Sequence, residues 1–154
     1  MEQTRTLQIE LLSDKDFQPY GEIITPAKGN LFIDYPDGSA FHVLAAAKSG
    51  GWRLAALRLR TRNISDLQVH RTTAETLHPI HGVAVLCVNT RPSYDGLRAF
   101  ILDRAVLLHA NVWHNVMTLS EESLIEIAEN DQVDCEEVRL ERELVAGLRE
   151  APPT

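Results

Sequence analysis

The residues best suited to chemistry lie close together, between Gln68 and Gly82, in the stretch QVHRTTAETLHPIHG. Three of the six histidines fall here, His70, His78 and His81, with Glu75 between them. Imidazole and carboxylate together suit a first-row divalent ion such as Ni, Mn, Fe or Zn. Residues 68 and 70 are two apart, so on a strand their side chains point to one side. Glu75 follows after a turn and can come back over them on the next strand. The stretch also reads as a solvated turn, because HRTTAET is rich in threonine and histidine is common at surfaces. His42 and His78 read as structural residues, and His81 as a surface turn residue.

The elements that would position these groups are mostly short strands. FHVLAAA, WRLAALRLR, DLQVH, VAVLCVN, LRAFIL, AVLLH, NVWHNVMTL and SLIEIAE are each of strand length, and turn clusters such as KSGG and NTRPSYDG divide several of them. Many short strands at this spacing imply an all-β sandwich or small barrel. In WRLAALRLR, Leu57 and Leu59 alternate with Arg58 and Arg60, which puts those two arginines on one face. Near the start, SDKDFQPYG predicts a short helical turn, capped by Ser13 and stopped at Pro19. At the end, Leu140, Leu144 and Leu148 recur every four residues among charges, which predicts a helix after Cys135. The closing APPT is expected to be disordered, roughly over 150–154.

Bulk properties bound the function. The chain has the length of a single domain, 1–154, with a core over about 7–144. A formal charge of −7 argues against nucleic acid and against an anionic membrane surface. A local arginine cluster could still serve an anionic small molecule. No signal-type apolar run opens the sequence and no stretch is long enough to span a bilayer, so the expected location is the cytoplasm. Cys87 lies in an apolar run and reads as core, and its spacing to Cys135 suggests neither zinc nor a disulfide framework.

The histidine-rich stretch resembles the first of two metal-holding motifs of cupin-type barrels, in which HxH is followed by a glutamate and then a glycine. Gln68, His70, Glu75 and Gly82 fit that spacing, with Gln68 where the first histidine would be. HANVWH resembles the second motif, PxGxxH. His114 takes the histidine position, with His109 in place of the proline and Asn111 in place of the glycine. The resemblance implies a divalent metal held by His70, Glu75, His114 and Gln68, with positions left open for substrate.

LRAFIL followed by LHANVWH also resembles the ureidoglycolate lyase family, an allantoin-degrading group with a cupin-type barrel. The opening with Phe17, Tyr20 and Gly21 and the acidic end DCEEVRLEREL are similar to that family as well, so the likeness runs from about Leu11 to about Leu144. Two departures stand out. Where the family has a glutamate before the histidine and a glutamine after it, this chain has Gln68 and Glu75, an exchange that leaves the charge of the set unchanged. The family also tends to carry an arginine at the position of Ala40, and a later Asp-Arg pair stands here as Ala128-Glu129.

The resemblance implies a lyase that cleaves ureidoglycolate to glyoxylate and urea. It assigns the metal to His70, Glu75, His114 and Gln68, and proton transfer to His109. Arg60, with Arg58 as a second choice, would take the substrate carboxylate, and Trp113 would form an apolar wall. It further implies a homodimer. A cupin enzyme acting on another small hydroxy or keto acid, or a cupin that binds without catalysis, are the alternatives.

Overall fold

The computed structural model describes residues 4–47 and 50–148. Chain order begins with β1 (Arg5–Glu10), a short helix α1 (Asp14–Phe17), β2 (Gly21–Ile23), β3 (Asn30–Asp34), β4 (Ala40–Val43) and β5 (Trp52–Leu59). It continues with β6 (Asn63–Val69), β7 (Glu75–His81), β8 (Ala84–Asn89) and β9 (Arg98–Ile101). Then come β10 (Val106–Leu108), β11 (Trp113–Thr118), β12 (Ser123–Asn130) and β13 (Glu136–Gly147). The architecture is all-β, as the spacing of short apolar runs predicts.

Six strands close a barrel in the order β1-β13-β6-β11-β8-β9, and five more form a sheet in the order β2-β10-β7-β12-β5. Strands β3 and β4 make a separate hairpin. Two cores result. Leu7, Leu67, Val85, Cys87, Met117 and Leu144 fill the inside of the closed barrel. Leu86, Val88 and Phe100 on the outer side of that barrel meet Leu77, Leu108 and Ile125 of the five-stranded sheet. Strand β8 therefore buries both faces, which is why VAVLCV is continuously apolar rather than alternating.

The helical turn is where the sequence puts it. Ser13 Oγ accepts a hydrogen bond from the Asp16 amide at 3.1 Å and caps α1. Phe17 and Tyr20 beside it enter the second core. Arg98 donates to both oxygens of Glu10 at 2.6 and 2.8 Å and to the Asp16 carbonyl at 3.2 Å, tying α1 to the barrel.

The expected C-terminal helix is not formed. Residues 136–147 are strand β13, parallel to β1 and antiparallel to β6. The four-residue leucine spacing is also an even spacing, so it keeps Leu140 and Leu144 on one face of a strand as well as of a helix. Val138 and Ala146 fall in the same phase and pack with them against the inner barrel core. Open edges on β1 and β6 decide between the two readings, and burial of each leucine contributes roughly 1.5–3 kcal/mol. Leu148, the third leucine of the series, is exposed. The tail expected to be disordered, 150–154, lies outside the described residues. Among the described residues, no helix is long and apolar enough to cross a membrane.

Candidate metal centre

The site forms where the end of β6 meets the start of β7 and β11. His114 stands opposite Gln68 in the register of β11 and β6, so both side chains face the five-stranded sheet. His70 follows β6 directly, and Glu75 opens β7 after the Arg71–Ala74 turn. His70, Glu75 and His114 are all buried, and their ligand atoms lie within 4.8 Å of one another. His114 Nε2 is 2.8 Å and His70 Nε2 3.9 Å from the same Glu75 oxygen, Oε1. Gln68 Nε2 is 3.5 Å from His114 Nε2. The fifteen-residue stretch is thus one side of a buried cluster and not a solvated turn.

Backbone carbonyls fix both rings. His114 Nδ1 donates to the Val112 carbonyl at 2.9 Å, and His70 Nδ1 donates to the Asp134 carbonyl at 2.7 Å. A carbonyl only accepts, so each Nδ1 carries a proton and each ring turns its Nε2 to the cluster. His114 Nε2 and the Glu75 oxygen face each other 2.8 Å apart, a distance that either a proton on Nε2 or a metal ion bound by both atoms satisfies. Two oriented imidazoles and one carboxylate are a donor set that can hold a divalent metal ion, and second partners of this kind are what orient metal-binding histidines. Burial pushes the Glu75 carboxyl up, but the hydrogen bond from His114 and the positive charge that His114 and His70 carry when protonated more than offset this. Glu75 is held below the usual carboxylate range.

The turn that carries His70 is pinned from the far side. The Asp134 carboxylate accepts from the Arg71 amide at 2.7 Å, from the Thr72 amide at 3.2 Å and from the Thr72 hydroxyl at 2.6 Å. These contacts hold the Asp134 carboxyl down at about 2. Arg71 also donates to Glu136 and lies over the Trp113 ring. Thr73, between His70 and Glu75, is buried and its hydroxyl has no partner among the described residues.

Both glycine positions of the cupin motifs are explained by backbone geometry. Gly82 has φ +75°, and a Cβ there would lie 2.3 Å from the Glu122 carbonyl oxygen. Asn111 replaces the second glycine and keeps its left-handed backbone, φ 67°, which asparagine tolerates better than most residues. Its amide donates to the His70 carbonyl at 2.8 Å, linking the two motifs.

Other residues chosen from the sequence are not brought to the cluster. Arg58 and Arg60 do share a face, and both reach Glu122, at 3.6 and 2.8 Å. They stand at the end of β5 that pairs with Ser123 and Leu124, while Glu75 lies level with Glu129 six residues along β12 from Ser123, about 20 Å away. Trp113 precedes His114 on the same strand, so alternation turns it the other way, into the inner barrel core. It is not a wall of this site. His109 follows β10, is exposed, and donates its backbone amide to the Tyr20 carbonyl at 2.9 Å. His78 and His81 are exposed on β7, and His42 Nδ1 approaches the Gly29 carbonyl at 3.5 Å.

Two unanticipated residues complete the surroundings. Arg53, Glu129, Glu75 and Leu108 form one row across β5, β12, β7 and β10. Arg53 donates to Glu129 Oε1 from Nε at 3.0 Å and from Nη2 at 2.7 Å. The signal was present in the alternation: Arg53 is in phase with Leu57 and Leu59, opposite to Arg58 and Arg60, and Glu129 is in phase with Ile125 and Ile127. Glu75 and Glu129 line a cavity of about 600 Å³ together with Trp52, Thr72 and Asn130.

These features define a cupin-type β-barrel with a two-histidine, one-carboxylate cluster between its sheets. The sequence model described as ureidoglycolate lyase matches residues 4–146, and the chain belongs to that family. No curated protein matches it. Among solved structures it is similar to the sugar 3,4-ketoisomerase QdtA from Thermoanaerobacterium thermosaccharolyticum, with 12% identity and a TM-score of 0.47 over 70% of this chain and 80% of that one. The capsular polysaccharide assembling protein CapF from Staphylococcus aureus has 14% identity and a TM-score of 0.47 over 68% of this chain and 32% of that one. The oxalate decarboxylase OxdC from Bacillus subtilis has 20% identity and a TM-score of 0.43 over 59% and 24%.

Proposed function

We propose that the protein is a metal-dependent carbon–nitrogen lyase that cleaves ureidoglycolate to glyoxylate and urea. The observation that carries this reading is the pair of imidazoles locked by backbone carbonyls onto Glu75, in a chain of the ureidoglycolate lyase family. His70, Glu75 and His114 would hold a first-row divalent ion of the Ni, Mn, Fe or Zn type, with Gln68 at its side. Such an ion lowers the pKa of a substrate hydroxyl and orients it.

Cleavage of the carbinol carbon–nitrogen bond leaves a carbonyl where the hydroxyl was, and moves one proton from that oxygen to the departing urea nitrogen. Glu129, buried beside Glu75 and reaching the same cavity, is placed to take the first proton and return it to nitrogen. It replaces His109 in that role, because His109 is exposed and is not among the residues lining that cavity. In this reading Asp134 and Val112 keep the two imidazoles in the metal-binding tautomer.

The test is turnover by purified protein loaded in turn with each of these ions. Release of urea and glyoxylate in equal amounts is expected. Bound metal without release of either product from ureidoglycolate would contradict the reading and leave a cupin acting on another hydroxy or keto acid, or one that only binds.

The assembly we propose is a homodimer. Trp52, Leu54 and Ile80 are exposed on the outer face of the five-stranded sheet, and Leu31, Phe32 and Phe41 on the β3–β4 hairpin. A second copy related by a two-fold axis would cover this apolar surface. Sedimentation at micromolar concentration should give a dimer, and a monomer would contradict it.

A further inference from the structure

We propose that Arg53 is the guanidinium that receives the substrate carboxylate, held in place by Glu129, and that the site is selective for small monocarboxylates. The inference rests on the reading of the cluster as the centre of an enzyme for a small carboxylate. A carboxylate substrate calls for a planar fork of N–H donors. Of the arginines on the elements around the cluster, Arg58 and Arg60 pair with Glu122 at the far end of the sheet. Arg71 is engaged by Glu136 and Trp113. Arg53 alone among these shares a row with Glu75.

The hydrogen bonds of Arg53 show which of its donors remain. Nε and Nη2 both donate to one oxygen of Glu129, so the guanidinium is held by its side edge. Its end edge, formed by Nη1 and the second N–H of Nη2, has no acceptor among the described residues. That edge is a complete two-donor fork for a carboxylate. The Arg53 side chain is 51% exposed while Glu129 is 8% exposed, so the pair has a buried anchor and an accessible end. Glu129, which holds Arg53, lines the same cavity as Glu75.

Charge balance points to the substrate class. Glu75, Glu129 and Arg53 together carry one negative charge, and a divalent ion at the cluster makes the centre singly positive. One carboxylate neutralises it, whereas a second would be left without a counter-charge.

Metal-loaded protein is titrated calorimetrically with glycolate and with its uncharged amide, glycolamide, and metal content is measured on the same samples. The variants are Arg53→Met/Glu129→Gln, which removes both charges so that no buried carboxylate is orphaned, Arg53→Lys, and Arg60→Met. Wild type and Arg60→Met should prefer glycolate by about tenfold or more, the scale of a charge-assisted hydrogen-bond pair. The double variant should retain its metal and lose the preference, and Arg53→Lys, which keeps charge without the fork, should lose several-fold of it. Full preference in the double variant would overturn the inference. So would its loss in Arg60→Met, or its absence in wild type. If the double variant loses its metal, Arg53→Lys decides, and an unchanged preference there overturns the proposal. Failure to cleave ureidoglycolate together with an Arg53-dependent glycolate preference would remove the substrate named above and leave the carboxylate site standing.

Discussion

The sheet formed by β5, β12 and β7 carries an arginine–glutamate pair near each end, and the two pairs differ in what surrounds them. Near the far end, Arg60 donates to Glu122 at 2.9 Å, with side chains 70% and 33% exposed. Near the other, Arg53 donates to a Glu129 that is only 8% exposed and that stands opposite Glu75 in the β12–β7 register. The same two strands position both pairs, since Arg53 and Glu129 lie within β5 and β12, while Arg60 directly follows β5 and Glu122 directly precedes β12. Strand parity makes the difference: Arg53 is in phase with the apolar residues facing the second core, and Arg60 is out of phase with them. A pair that water can reach on all sides contributes little, because solvation competes for both charges. A buried carboxylate depends on its partner, because nothing else can neutralise it.

Breaking the buried end of this comparison should have the largest effect. Loss of His114 in His114→Ala removes one of the three donors proposed to hold the metal and leaves Glu75 without its 2.8 Å partner. Bound divalent metal, measured by elemental analysis after dialysis, should fall by at least about a hundredfold in apparent affinity. Retention of wild-type metal content would show that the cluster is not the binding site.

Next in size is the turn that presents His70. Asp134→Asn should lower metal affinity by roughly tenfold, because partners outside the ligand set orient the ligands. Acid titration sharpens this. A carboxyl depressed in the folded state contributes stability that is fully present above its ordinary value of 3.8 and is lost as pH falls toward about 2. Denaturation at neutral pH should therefore separate wild type from Asp134→Asn, and the gap should close near pH 2. A gap that persists unchanged at that pH would show that the Asp134 charge is not what pins the turn.

The two arginines make the direct contrast. Arg53→Met should cost about 1–2 kcal/mol, less than a fully buried pair because Arg53 is half-exposed. Arg60→Met should change stability by less than about 0.5 kcal/mol. Urea denaturation of the two variants side by side checks this, and equal losses would erase the distinction. The smallest effect belongs to Asn111, where Asn111→Gly should be near neutral and Asn111→Ala should cost roughly 1 kcal/mol at φ 67°.

Much of the site was legible because its ligands obey short-range rules. Gln68, His70 and Glu75 are close in the chain, and strand parity with one turn suffices to bring them together. His114 follows from motif spacing, and Asn111 preserves the backbone that a glycine would give. What escaped depends on which strands become neighbours. Glu129 joins Glu75 only through the β12–β7 register, and Arg53 joins Glu129 only through β12–β5. The carbonyls of Val112 and Asp134 carry no side-chain signal at all. For the fold, alternation and turn residues revealed the strands and Ser13 revealed α1. The final segment misled because a four-residue leucine spacing fits both helix and strand, and only the open edges of β1 and β6 select the strand.

The exchange of Gln68 and Glu75 relative to the family offers the most direct test of the metal centre. Divalent metal is titrated into metal-free wild type, Glu75→Gln, and Glu75→Gln/Gln68→Glu. Gln68 lies against His114 on the same side as Glu75, at 3.5 Å, so a carboxylate at either position can serve the cluster. The single variant should lose at least about tenfold in affinity, since amides replace the only anionic donor, and the double variant should recover most of it. Equal metal binding by all three proteins, or none by wild type, would contradict the assignment of His70, Glu75 and His114 as a metal centre.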